Sequence, residues 1–197
     1  YSNAMKYFNQ AYAVYKKKVN QERLAQIQNA IGNIYVKQGN YNEAFKSLSR
    51  SLRIADKKQD KQLQVMALSS LGDLFYEQAD YIQALPYYTR CLAYSRQVGS
   101  VQNQAEAQIA IGSIMYRLGK SKDAVTKCQE GLTLAEKVRS VPLKKRGCDC
   151  LYGSYKALGN SGLALRYYEQ ANTFEDSLNL AETANKVMGM EFQKQQL

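Results

Sequence analysis

The chain has 197 residues, of which 45% are hydrophobic and 22% are charged, and it carries a formal net charge of +10 with no histidine and no tryptophan. The lack of histidine excludes, within this chain, the Ser-His-Asp and Cys-His triads, histidine-ligated zinc and imidazole acid–base catalysis. No run of about 18 apolar residues occurs, so no transmembrane helix is predicted, and the N-terminus lacks the apolar core of a signal peptide.

The first residues resemble a cloning remnant more than a natural N-terminus. Ser2-Asn3-Ala4 is typical of the residues that remain after a purification tag is removed, so residues 1–4 are predicted to be a tag remnant. The chain also stops at Leu197 within a predicted helix, without a stop signal. We therefore expect it to be a segment of a longer protein.

A period of 40 residues organises most of the chain. Small residues mark this period in three consecutive copies, at Gly32, Gly72, Gly112, Ala44, Ala84 and Ala124. A fourth copy continues in phase with Ala164, although Tyr152 replaces the glycine and Gly153 follows it. Residues 5–18 keep the same phase and are predicted to be half a repeat, the second helix of a preceding unit.

Within one unit the apolar residues predict two amphipathic helices. Ile27, Ile31 and Ile34 recur at intervals of three and four residues, and a similar stripe begins after a break at Gly39. Glycine at such a break suits the left-handed conformation that ends a helix. Each unit is therefore predicted to be a helical hairpin, and the full repeats are placed at about 21–58, 61–98, 101–138 and 141–174.

The repeated motif resembles that of the tetratricopeptide repeat family. The segment Ala30–Tyr35, Gly39 in the turn, Tyr41 after it and then Ala44 match the family pattern. The resemblance extends over about residues 21–174 and implies an all-α fold, a right-handed superhelical array of antiparallel helical hairpins. Met115 departs from it, because tyrosine is usual there, and the 40-residue period implies longer helices or loops than the common 34-residue repeat.

The family resemblance also implies that the first helix of each hairpin lines a concave groove. The residues that this register places in the groove are Asn29, Asn33, Val36, Lys37, Met66, Ser69, Asp73, Tyr76, Glu77, Ile109, Ser113, Tyr116, Arg117, Arg146, Asp149 and Lys156. Exposed aromatic and apolar side chains among mixed charges are typical of a surface that binds a peptide or a protein. The alternative is that these residues only pack against the neighbouring hairpins.

No pattern of catalytic residues stands out. The sequence has no glycine-rich phosphate loop and no nucleophile beside a base, so no enzymatic activity, metal or cofactor is expected. With Glu106 of the same stripe included, the predicted groove has four basic and four acidic residues, so its charges cancel, and the basic excess falls on the second helices and loops, including Lys16–Lys18. Scattered lysines of this kind keep a surface soluble, so no direct contact with nucleic acid is expected.

The four cysteines do not predict a disulfide framework. Cys148 and Cys150 lie two residues apart in a predicted helix, where their side chains diverge and cannot bridge. Cys91 and Cys128 fall on the packing stripe of a second helix and are predicted to be small buried residues.

The last stretch, 177–197, loses the repeat markers and is predicted to be a capping or linker helix. The segments Ala157–Asn160 and Glu175–Leu178 are similar to the end of the repeat region in bacterial signalling proteins of the Bacteroidetes type, which carry a histidine kinase, nucleotide cyclase or DNA-binding output domain. This similarity implies a sensing or scaffolding region that binds a protein or peptide.

Two questions stay open at the level of the sequence. The alternative function is a homodimerisation element that positions an output domain through the C-terminal helix. The location is open as well: cytoplasmic for a free-standing protein, or periplasmic for part of a membrane-bound sensor, with any membrane contact made by segments outside this chain.

Overall fold

The computed structural model describes residues 2–17 and 20–194, and all regular structure in these ranges is helical. The helices are α1 (Ser2–Lys17), α2 (Gln21–Lys37), α3 (Tyr41–Lys58), α4 (Lys61–Glu77), α5 (Tyr81–Gln97), α6 (Val101–Arg117), α7 (Ser121–Lys137), α8 (Val141–Ala157) and α9 (Ser161–Lys194). The predicted all-α class and the array of antiparallel hairpins are confirmed. The ends of three predicted segments, at residues 1, 18 and 195–197, lie outside the described residues.

The way the helices contact one another defines an inner and an outer side of the array. Helices α2 and α3, α4 and α5, α6 and α7, and α8 and α9 pair as hairpins. The first helices also contact each other across hairpins, as α2 with α4, α4 with α6 and α6 with α8. Successive second helices make no such contacts within the described ranges. The first helices therefore line the inside of the curve.

The long repeat period comes from the helices, because the turns are short. Helices α2 to α8 have 17 or 18 residues each. The turn inside each hairpin contains one left-handed residue, such as Gly39 with φ of 75° or Ala79 with φ of 57°. A side chain then caps the next helix in several places; the Asp80 carboxylate, for example, accepts a hydrogen bond from the Gln83 amide at 3.1 Å.

The glycine marker of each first helix faces the residue 16 positions later in the second helix. A Cβ atom on Gly72 would lie 2.8 Å from the Tyr88 ring, and one on Gly112 would lie 2.5 Å from the sulfur of Cys128. These contacts are too close for any side chain at the glycine. The glycines thus permit the close approach of the two helices in each hairpin.

The fourth hairpin is built differently at this position. Tyr152 replaces the glycine, and its ring centroid lies 5.3 Å from that of Tyr168, which is 46% exposed. The glycine of this hairpin is the next residue, Gly153, and a Cβ atom on it would lie 3.1 Å from the Tyr116 ring of the preceding hairpin. Tyr168 therefore stays at the surface, whereas Leu48, Tyr88 and Cys128 at the corresponding positions are buried.

Helix α9 is continuous from Ser161 to Lys194, so residues 177–194 extend the second helix of the last hairpin and do not fold back over it. Leu180, Met188 and Met190 on this extension are more than half exposed. The composition of the segment predicted a helix, but no residue in it marks a break from the preceding helix. No described helix is both long and apolar enough to cross a membrane.

The expectation that no disulfide forms is wrong. The structure joins Cys128 of α7 to Cys150 of α8, with a Cα–Cα distance of 5.9 Å, which is normal for a disulfide. These two cysteines lie on different helices and are brought together by the packing of neighbouring hairpins, which spacing within one helix does not reveal. Cys91 and Cys148 are free and buried.

Candidate peptide-binding groove

A cavity of about 440 Å³ opens on the inner side of the array. It is formed by side chains of the first helices α4, α6 and α8, with one residue from α5. We call this cavity the central groove, and its lining residues are Asp73, Tyr76, Glu77, Tyr88, Ile109, Ala110, Ser113, Tyr116, Arg117, Arg146, Asp149 and Cys150. Three successive hairpins thus contribute to one site.

The floor of the central groove carries a hydrogen-bonded pair. The hydroxyl of Tyr88 donates to the carboxylate of Asp73, and the Tyr88 side chain reaches this position across Gly72. Desolvation by the groove walls raises the pKa of Asp73 above its ordinary value of 3.8, although the hydrogen bond from Tyr88 lowers it. Burial, followed by the charge of Asp73, raises the pKa of Tyr88. Tyr88 therefore remains a neutral donor that holds the Asp73 carboxylate in place.

Two of the charged residues of the groove are neutralised by nearby partners. Arg146 lies 3.2 Å from Glu106, and Asp149 lies 3.1 Å from Lys145. Lys145 also pairs with Glu175 on α9 at 2.7 Å, and this second contact ties the last hairpin together. These pairs are partly exposed, so each contributes at most about 1 kcal/mol to stability.

Three other charged groups of the groove stay without an ion-pair partner in the described ranges: Asp73, Glu77 and Arg117. Arg117 rests against aromatic residues, with its guanidinium 5.6 Å from the centroid of the Tyr116 ring. A hydrogen bond with Tyr76 raises the pKa of Arg117. The Asp73 carboxylate accepts the hydrogen bond from Tyr88, and the Glu77 carboxylate has no hydrogen-bond partner among the described residues.

Two tyrosine rings form the aromatic part of the groove. Tyr76 packs edge-on against Tyr81, with ring centroids 5.4 Å apart, and Tyr116 covers Gly153 of the next hairpin. Both residues are partly exposed. Each ring is thus fixed on one side by the protein and offers its remaining surface to the groove, as aromatic anchors of binding sites do.

The central groove contains many of the residues that the sequence assigned to it. Those brought together are Asp73, Tyr76, Glu77, Ile109, Ser113, Tyr116, Arg117, Arg146 and Asp149. Those that do not line it are Asn29, Asn33, Val36, Lys37, Met66, Ser69 and Lys156. All but Lys156 of the second group belong to α2 and the first half of α4, towards the N-terminal end of the array.

Two predicted groove residues are not solvent-facing. Asn29 is only 5% exposed, and its side-chain amide donates to the Ser70 hydroxyl at 3.1 Å, so it joins the first two hairpins. Ile109 is 1% exposed and belongs to the core between α6 and α7, where the backbone of Gly131 approaches it closely. Both side chains thus pack inside the array, Asn29 between two hairpins and Ile109 within its own hairpin.

Tyr88, Ala110 and Cys150 line the groove but were not predicted from the sequence. Tyr88 lies on a second helix, which the predicted register excluded from the groove. The signal that could have found it is the pairing of positions 16 apart, since a tyrosine opposite the small Gly72 can extend through to the inner face. Among the described residues, no group of three histidine, cysteine or carboxylate side chains is arranged to hold a metal ion.

Comparison with known families and curated sequences gives one assignment. The family model described as tetratricopeptide repeat matches residues 23–97 and 63–137. These overlapping matches cover more than half of the chain. No curated protein matches the sequence.

Solved structures show the same fold at low sequence identity. The crystal structure of BtubC from P. vanneervenii has a TM-score of 0.72 at 16% identity, covering 87% of this chain and 74% of that one. A Rap protein complexed with competence and sporulation factor has a TM-score of 0.69 at 16% identity, covering 89% and 59%. A signal transduction ATPase with a tetratricopeptide repeat sensor, from Pyrococcus horikoshii, has a TM-score of 0.73 at 19% identity, covering 92% and 29%.

Proposed function

The chain belongs to the tetratricopeptide repeat family, and we propose that it is a non-catalytic module that binds a peptide segment of a protein partner in the central groove. Modules of this family typically bind proteins. The main support for this proposal is the cavity, to which three successive first helices contribute side chains. A segment lying across these helices can be contacted at several points along its length.

The chemistry of the lining supports a peptide as the ligand. Partly exposed tyrosines provide large contact area at a small loss of conformational entropy, and they are enriched among the residues that dominate binding energy. Tyr76 and Tyr116 are already held by Tyr81 and by the backbone at Gly153, so little further ordering is needed on binding. The unpaired charges beside them can fix the register of the ligand.

Within a larger protein, we propose that the module has a sensing or scaffolding role in signalling. The similarity of the segments at 157–160 and 175–178 to the repeat ends of signalling proteins supports this role. A fold shared with a Rap protein and with the sensor of a signal transduction ATPase agrees with it, at 16% and 19% identity. The ligand of the Rap protein in its complex is a sporulation factor, which illustrates what such a fold can bind.

A second candidate function is homodimerisation through α9. The observation that favours it is the extension beyond the last hairpin, where Leu180, Met188 and Met190 are exposed. Exposed apolar residues on a single projecting helix can pair with a second helix. A dimer of this kind would position an output domain attached after α9.

The test of peptide binding removes the two aromatic anchors. The variant Tyr76→Ala/Tyr116→Ala and a control, Tyr7→Ala/Tyr168→Ala, lose the same groups, but the control tyrosines lie outside the central groove. Each protein is used to select from a displayed pool of random peptides, and helicity is followed by circular dichroism. We expect the control to capture peptides as the intact chain does, and the groove variant to retain its helicity but lose capture. Equal capture by both variants would contradict the proposal.

Truncation after Asp176 separates the two candidate functions. The truncated chain keeps Glu175, which pairs with Lys145, and Phe174, whose ring lies 4.8 Å from the Lys144 ammonium. If α9 mediates dimerisation, the truncated chain loses self-association in sedimentation but still captures peptides. If the number of chains per sedimenting particle is the same before and after truncation, α9 does not mediate dimerisation and the second candidate is contradicted.

A further inference from the structure

The strong positive charge of the chain does not extend into the central groove. The net charge is +10 overall, but the groove lining contains Asp73, Glu77 and Asp149 against Arg117 and Arg146. Glu106 lies at its edge, paired with Arg146. The groove is therefore locally acidic within a basic protein.

The internal ion pairs show where the unbalanced negative charge lies. Asp149 pairs with Lys145, which it shares with Glu175, and Arg146 pairs with Glu106. Asp73 and Glu77 remain unpaired among the described residues, and they lie four residues apart on α4, on the same face of the helix. The uncompensated carboxylates are thus concentrated on one wall of the groove.

Asp73 is also held in a fixed position. The Tyr88 side chain is only 2% exposed, and its hydroxyl donates to the Asp73 carboxylate. The equivalent positions of the neighbouring hairpins contain Leu48 and Cys128, which cannot supply a hydroxyl. A carboxylate that is preorganised in this way loses little entropy when a cation binds to it.

From this arrangement we infer that the peptide bound in the central groove carries a lysine or arginine side chain whose cation is received by Asp73 and Glu77. The inference rests on the proposed peptide-binding function and specifies its ligand. The adjacent Tyr76 ring, which also lines the groove, provides an apolar surface for the stem of that side chain and a π face for its charge. Desolvation disfavours the charged form of Asp73 and so raises its pKa, and a bound cation would offset that cost.

Charge complementarity also selects against other ligands. An acidic peptide or a nucleic acid backbone would meet two unpaired carboxylates, Asp73 and Glu77, against one unpaired cation, Arg117. A basic segment is attracted to this groove and repelled by the basic outer surface. The inner face therefore discriminates in favour of cationic segments.

The experiment selects from a displayed pool of random short peptides on three proteins. These are the intact chain, the variant Asp73→Asn/Glu77→Gln, and the control Glu169→Gln/Asp176→Asn. The control makes the same change in net charge at exposed positions of α9 that have no ion-pair partner in the described residues. A recovered peptide is then synthesised with its basic residue and with a neutral isostere, citrulline or norleucine.

We expect the intact chain and the control to enrich peptides with lysine or arginine at one fixed position. The groove variant should bind the synthesised peptide at least about tenfold more weakly, as expected for loss of a charge-assisted contact. The neutral isostere should weaken binding to the intact chain by a similar factor and have little further effect on the variant.

The outcomes distinguish the inference from the proposed function. Enrichment of acidic or neutral peptides, or full binding by the groove variant, overturns the inference and leaves peptide binding intact. Failure of the intact chain to enrich any peptide overturns the proposed function and the inference with it.

Discussion

The hydroxyl of Tyr88 reaches the carboxylate of Asp73 because the residue that Tyr88 crosses, Gly72, has no side chain. The same glycine that lets α4 and α5 approach each other therefore also positions a polar group of the groove. This link means that a change in the core of the second full hairpin affects the inner face directly, and it leads to the first two predictions.

The first prediction concerns the cost of filling Gly72. Gly72→Ala places a Cβ 2.8 Å from a ring that is almost fully buried, whereas Gly162→Ala, also in a helix, meets nothing closer than 3.9 Å. The gain in helix propensity is larger at Gly72, inside α4, than at Gly162, in the first turn of α9, so a lower stability of Gly72→Ala is due to overpacking. We expect Gly72→Ala to be less stable than Gly162→Ala by about 1–3 kcal/mol in urea denaturation. Equal stabilities would show that the two helices do not pack as described.

The second prediction follows from the raised pKa of Asp73. The pKa of Asp73 is higher in the folded chain than its ordinary value of 3.8, so the folded state holds this proton more tightly than the unfolded state. The resulting contribution to stability is complete at pH values below 3.8 and is lost as the pH rises through the folded-state pKa. Asp73→Asn removes this dependence and keeps an acceptor for Tyr88. The stability of Asp73→Asn relative to the intact chain should therefore be greater at pH 7 than at pH 3.5. If the free energy of unfolding of Asp73→Asn, relative to that of the intact chain, falls as the pH rises, the pKa of Asp73 is lowered in the folded chain and not raised.

The third prediction concerns the left-handed residue of the hairpin turn. Ala79 has a φ of 57°, where neighbouring hairpins use glycine. Ala79→Gly should stabilise the protein by about 0.5–1 kcal/mol. The free energy gained by relieving the left-handed backbone strain is larger than the free energy lost through the greater entropy of the unfolded chain. The control Ala93→Gly, at an exposed position inside α5, should destabilise by up to about 1 kcal/mol. Thermal melts that show the same sign for both changes would argue against the turn geometry.

The fourth prediction concerns the cysteines. Without reductant the unfolded chain should present two thiols to a chromogenic disulfide reagent, Cys91 and Cys148, and with reductant it should present four. In the folded chain, burial raises the pKa of each free thiol to about 11, so both should react slowly at pH 7. Four reactive thiols in the unreduced, unfolded protein would exclude the bridge.

The repeat pattern predicted the hairpins because its markers are local constraints. Gly72 and Ala84 must be small wherever two helices approach closely, so their spacing alone indicates the hairpin. The groove was harder to predict. Burial of Ile109 depends on Gly131 in another helix, and the Cys128–Cys150 pair depends on how one hairpin stacks on the next. A periodic pattern within single helices contains no information about such contacts.

Site-specific photocrosslinking shows whether a peptide lies in the central groove. A photoreactive phenylalanine analogue is placed at Ser113 in the groove, and in a second protein at Thr133, which is exposed on α7 and lies outside it. Each protein is irradiated with a peptide selected on the intact chain, and the adduct is measured by mass spectrometry. We expect an adduct at position 113 and none at position 133. An adduct at position 133 alone would contradict this expectation.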